Sequence, residues 1–221
     1  MSTAARGMFW SFLKPTAFTD FLKRYGEDPT MELLNGTAVE KMPSSDEHDE
    51  MLDWLSQLFA AVSKKSVPGN LLGPETAVEI NSGRARRPDL HFVRRGSKTA
   101  SVRDGAVFGA PDLVVEVVCA KDFLSDVVAR EKDYRERCVS EILFIDQSRR
   151  RVRIVRRQGE WVRKRRAEEA GYVEEVIATR ESIPLYSLNG FLLNTEWLFV
   201  EPRPRIEDLT AYSAVSDTKK A

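Results

Sequence analysis

Apolar positions along this chain recur with periods that change from element to element. Residues 18–25 (FTDFLKRY) predict a short helix, with Thr19 or Asp20 available as its cap. Residues 31–42 (MELLNGTAVEKM) set Asn35-Gly36 between two extended arms, the strongest short-range hairpin signal. Ser44, Ser45 or Asp46 can cap a helix running to about residue 63, because Met51, Leu52, Leu55, Leu58, Phe59 and Val62 fall at steps of three and four. Pro68-Gly69 blocks its continuation. Strands are expected over residues 76–80, 88–93 and 112–118, the last so β-branched that burial on both faces is expected. A polar loop with Gly96, Gly105 and Gly109 separates the last two. Residues 122–137 predict a second helix, with Phe123, Val127, Arg130 and Tyr134 on one side. Residues 141–146 (EILFID) return as a strand, followed by a basic ribbon turning at Gln158-Gly159. Residues 172–200 read as one or two edge strands with apolar loops. The order predicts an α/β fold with a mixed central β-sheet flanked by helices. Residues 1–200 are expected to form one domain with an extension over 1–16, and 201–221 a flexible tail.

Composition narrows the class. Charged residues at 31% and apolar residues at 42% suit neither a disordered chain nor a membrane protein. No apolar run approaches the ~18–20 residues of a spanning helix. Residues 7–13 (GMFWSFL) are too short for a signal peptide and lack a cleavage site. Cys119 and Cys138 form no CxxC pair, so neither a disulfide framework nor a zinc site is signalled, and a cytoplasmic setting is expected. Lys/Arg and Asp/Glu balance at 34 each, yet residues 149–166 carry ten cations against Glu160 alone. Such a run is either a solvated ribbon paired with the acidic residues that follow it or a phosphate-tracking surface. No P-loop, GxSxG, GxGxxG or HExxH occurs.

The chemistry-bearing signal is a charge out of place. Glu116 stands inside VVEVV, and a buried carboxylate needs a counter-charge or a metal. Asp89, at the head of the preceding strand, is a natural partner. Two converging carboxylates make a hard-oxygen site for Mg²⁺ (or Mn²⁺), whose ligands sit at ~2.0–2.1 Å. The bland alternative is an ion pair from Glu116 to Arg86, Arg87 or Arg130.

The run PDL…PDLVVEVV, preceded by MELLNG and His48 and followed by a helix with Tyr134 and then VSEILFID, resembles the Uma family of restriction endonucleases within the PD-(D/E)xK nuclease fold. The resemblance extends over residues 18–161. It implies a restriction-endonuclease-like fold and a metal-dependent endonuclease acting on DNA, with a two-fold homodimer favoured for duplex cleavage. By that resemblance, Asp89 and Glu116 hold the metal, Glu32 orients the attacking water, and His48 matches the family's histidine at the start of the long helix. The wider fold carries a lysine two residues after the glutamate; here that residue is Val118. The family instead places a lysine four residues before the helix tyrosine, which is Arg130 here. Arg130 rather than Lys132 is expected to point toward Glu116, because Lys132 is rotated about 200° away on a helix. These departures, with Cys119, Cys138-Val139 and Ile142-Leu143 at other family positions, also allow a catalytically degenerate protein that binds nucleic acid or a protein partner.

Overall fold

The computed structural model describes residues 15–158, 171–177 and 180–212. In chain order these form α1 (Phe18–Tyr25), β1 (Met31–Leu34), β2 (Thr37–Glu40), α2 (Asp46–Ser66), β3 (Gly69–Leu72), β4 (Ala77–Asn81), β5 (Arg84–Arg86), β6 (Leu90–Arg94), β7 (Ala100–Arg103), β8 (Ala106–Gly109), β9 (Leu113–Val118), α3 (Leu124–Glu136), β10 (Glu141–Asp146), β11 (Arg151–Arg157), β12 (Tyr172–Ile177), β13 (Ser182–Leu185), β14 (Phe191–Asn194) and α4 (Ile206–Tyr212).

Among the described residues the strands make two mixed six-stranded sheets, ordered β2-β1-β5-β4-β8-β7 and β12-β11-β10-β9-β6-β3, plus the separate hairpin β13-β14. The fold class is the mixed α/β arrangement expected, with the sheet content divided between two sheets. β9 lies at the centre of the second, antiparallel to β6 and parallel to β10, with α3 in the β9–β10 connection. Its alternation decides what it touches. Leu113, Val115 and Val117 join a core roofed by α2, the β13–β14 hairpin and Leu209 of α4. Val114 and Val118 face the opposite core, with Val78 and Val107 of the first sheet and Val127 and Tyr134 of α3. Glu116 stands between Val114 and Val118 on that second face.

Three expectations are corrected. The loop expected before β9 is the β7–β8 hairpin, turned at Asp104-Gly105 with both residues at positive φ (51° and 69°), the geometry of a two-residue primed turn. β3, an edge strand on β6, stands where the sequence predicts no strand. In the tail expected from residue 201, the described residues 201–212 pack: Trp54 donates to the Pro204 carbonyl at 2.9 Å, and α4 buries Leu209 against the main core. The extension over 1–14, the ribbon residues 159–170 and residues 213–221 lie outside the described residues.

Candidate active site

Asp89 sits one residue before β6, and the register pairs Leu90 with Val115, so Asp89 comes opposite Glu116 on the same face of the sheet. Its backbone is fixed from behind. The Arg87 guanidinium, 1% exposed, donates to five carbonyls: Met31, Pro74, Glu75, Tyr25 and Gly26. Burial holds its pKa below the ordinary value, against the opposing charges of Asp28, Glu32 and Glu75. With Pro88 setting the next φ, the segment that delivers Asp89 has little freedom.

Asp89 Oδ2 accepts the Val117 amide at 2.8 Å and meets His48 Nε2 at 3.2 Å; Oδ1 lies 3.6 Å from Lys41 Nζ. Burial works to raise the Asp89 pKa, but His48, Lys41 and the Val117 amide outweigh it and hold the carboxyl below its ordinary value. His48 opens α2 behind the Ser45 cap, whose hydroxyl accepts the His48 amide at 3.3 Å. Its Nδ1 meets Asp49 at 3.1 Å, so each ring nitrogen faces a carboxylate. Burial disfavours the imidazolium, yet the two carboxylates prevail and the pKa is raised.

Glu116 is 1% exposed. Oε2 accepts from Arg130 Nη1 at 3.2 Å, and Oε1 accepts the Tyr134 hydroxyl. Burial pushes its pKa up to about 7, with Arg130 opposing and Asp89 adding to the rise. Of the three arginines offered as partners, Arg130 is the one that meets Glu116. Arg86 goes to Glu32 and Asp133, and Arg87 to carbonyls. Arg130 in turn has its pKa raised, by Glu116 first.

Above these residues opens a cleft of about 380 Å³, walled by Lys41, His48, Asp89, Lys121 and Arg130 among others. Glu116 lies beneath that wall, behind Arg130. Glu32, for which the resemblance implies a water-orienting role, does not line the cleft either. Its Oε1 accepts the Arg87 amide and its Oε2 Arg86 Nη1, both at 2.9 Å, so both oxygens brace the backbone that carries Asp89. Val118 is packed among valines, as its place in β9 requires. Sequence reasoning missed Lys41. It sits one residue past β2, and its signal was faint: a single lysine after a hairpin, with nothing local to aim it at Asp89.

Residues 18–184 match the family described as Uma2, "Putative restriction endonuclease". The chain belongs to the Uma2 family. Among solved structures, this Uma2 chain is similar to that of a protein titled a putative nuclease belonging to DUF820 from Anabaena variabilis ATCC 29413. The TM-score is 0.60 at 16% identity, over 90% of this chain and 99% of that one, a likeness of fold. No curated protein matches this Uma2 sequence.

Among the described residues no group of three His, Cys, Asp or Glu side chains stands ready to hold an ion. The donor chemistry of the two carboxylates nevertheless fits Mg²⁺, which binds through one or two carboxylates and keeps several waters. Asp89 and Glu116 would hold it.

Proposed function

We propose that this Uma2 protein is a divalent-metal-dependent endonuclease that hydrolyses phosphodiester bonds in DNA at the cleft over Asp89 and Glu116. The observation that carries the reading is that Asp89, just before β6, comes opposite Glu116 of β9 on one sheet face, beside a cleft whose wall also bears Lys41 and Arg130. Carboxylates take a hard cation, and the flanking cations take the phosphate. Mg²⁺ or Mn²⁺, when bound, supplies Lewis-acid polarisation of the phosphate. Lys41 and Arg130 meet the charge that grows on the phosphoryl oxygens, with Arg130 offering a planar fork that cannot deprotonate. His48, held between Asp49 and Asp89 with its pKa raised by the two carboxylates, keeps Asp89 oriented toward the cleft. Cutting both strands of a duplex with one such site per chain calls for two copies in a two-fold arrangement.

The test is nicking of supercoiled plasmid with Mg²⁺ or Mn²⁺ by the parent and by Asp89→Asn. Cleavage by the parent that falls by about 10²-fold or more in the variant is expected, on the scale of losing one transition-state contact. No cleavage by the parent with either metal, or undiminished cleavage by the variant, overturns the reading. A second reading is favoured by one observation: both Glu116 oxygens are already bonded, and the lysine position of the strand is Val118. In that reading the protein binds nucleic acid or a partner without cutting. DNA capture by a non-cleaving parent, insensitive to added metal, would favour it.

A further inference from the structure

The two carboxylates are not equally available. Asp89 lines the cleft, whereas Glu116 is 1% exposed and outside that lining, bonded to Arg130, which is part of it. Tyr134 occupies one Glu116 oxygen and the Arg130 guanidinium the other. We propose that Arg130 is a resident cation standing where a divalent ion must bind, so that loading the metal onto Glu116 requires the guanidinium to swing off it into the cleft. The inference rests on the metal-dependent reading above and deepens it.

The geometry favours such an exchange. Arg130 lies on the cleft wall, so its long side chain has open space on the side away from Glu116. Among the described residues it is held by a single hydrogen bond of 3.2 Å, in contrast to Arg87 with five acceptors and Arg156 with three. A guanidinium and a divalent ion on the same buried oxygen repel each other strongly at low dielectric. One of them has to leave. The departing guanidinium is then free at the cleft wall, where its fork suits a phosphate oxygen pair. Metal and phosphodiester should therefore strengthen each other's binding reciprocally, because each is served by the same movement.

The experiment measures Mn²⁺ binding calorimetrically at pH 8.5, with Mn²⁺ alone as the probe, in the parent, Arg130→Ala, Arg130→Gln and Lys121→Ala. The glutamine variant retains a hydrogen-bond donor for Glu116 and guards against misfolding of the alanine variant; circular dichroism verifies the fold of each. Lys121 lines the same cleft but donates to the Pro43 carbonyl, so its removal takes away one positive charge without freeing a carboxylate. Displacement predicts Mn²⁺ affinity about tenfold or more higher in the Arg130 variants, within the usual range of site coupling, and within about twofold of the parent in Lys121→Ala. Equal affinity throughout, or an equal rise in Lys121→Ala, overturns the inference while leaving the nuclease reading intact if the parent still nicks plasmid. Mn²⁺ binding by the Arg130 variants alone, with a parent that neither binds nor cuts, supports the inference and overturns the active reading of the parent. Absence of binding in all four overturns both.

Discussion

Three arginines around the site serve three purposes, set by what meets each guanidinium. Arg86 lies between Glu32 and Asp133, Arg130 covers Glu116, and Arg87 is satisfied by backbone carbonyls. Replacing Arg87 with methionine keeps much of the volume but leaves five acceptors unmet. A loss of about 3 kcal/mol or more in urea denaturation is expected, since each buried unsatisfied group costs ~1–3 kcal/mol. Arg87→Lys should recover little of it, because one ammonium cannot reach carbonyls on opposite sides of a planar fork. Glu116 gives a pH signature. Its folded pKa, about 7, lies above the ordinary 4.5. The folded state therefore prefers the protonated acid: the associated stabilisation is complete below about pH 4.5 and is lost as pH rises through about 7. Relative to Glu116→Gln, which does not titrate, the parent should lose up to about 3 kcal/mol of stability across that window. A flat difference between the two proteins in denaturation from pH 4.5 to 8 would refute this.

At the scale of elements, legibility followed how local the cause was. α1 and β10 have the bounds the sequence predicts because their signals lie within their own residues. The Asn35-Gly36 hairpin was equally readable, with both residues at positive φ. Asp104-Gly105 carries the same turn chemistry, but the arms around it hid the hairpin: β7 is mostly exposed, with no apolar alternation to announce it. β3 and α4 depend on distant partners. α4 is placed by contacts that join residues 150 positions apart, such as Trp54 to Pro204, which no window of sequence displays. The site divides the same way. Glu116 and Asp89 stood out as a charge in an apolar strand and a Pro-Asp pair, while Lys41 and the bracing role of Glu32 appear only once β1, β2 and the segment before β6 are side by side. The capping of α2 ties one such element to the site. Ser45→Ala removes the acceptor for the His48 amide and should cost about 1 kcal/mol. It should also loosen His48 from Asp89, so that the histidine pKa, followed by NMR, drops toward its ordinary 6.5.

For the molecule as a whole, 34 Lys/Arg balance 34 Asp/Glu, and many of these charges meet within the fold. The described part of the basic ribbon shows it. Arg149 meets Asp146, Arg153 meets Glu131 and Glu174, and Arg156 meets Glu141 and Glu175. These arginines are paired within the fold, in part with the acidic residues that follow the ribbon; residues 159–166 lie outside the described residues. Arg153 also stacks 4.3 Å over Phe144. Arg153→Gln should therefore lower stability by about 1 kcal/mol and leave duplex affinity within about twofold, as read by anisotropy. A sharp fall in affinity at unchanged stability would return that arginine to the nucleic acid. No helix among the described residues is long and apolar enough to cross a membrane.

The Arg87 clamp has a bearing on descent. The residues that hold Asp89 in place, Arg87, Glu32 and the carbonyls around them, are different residues from those that would act on a substrate. Val118, Arg130 and Glu116 lie on another strand and on α3, behind a separate set of contacts. Substitutions there leave the bonds that anchor the backbone before Asp89 untouched. A lineage built on this plan can abandon its chemistry gradually and still inherit the shape.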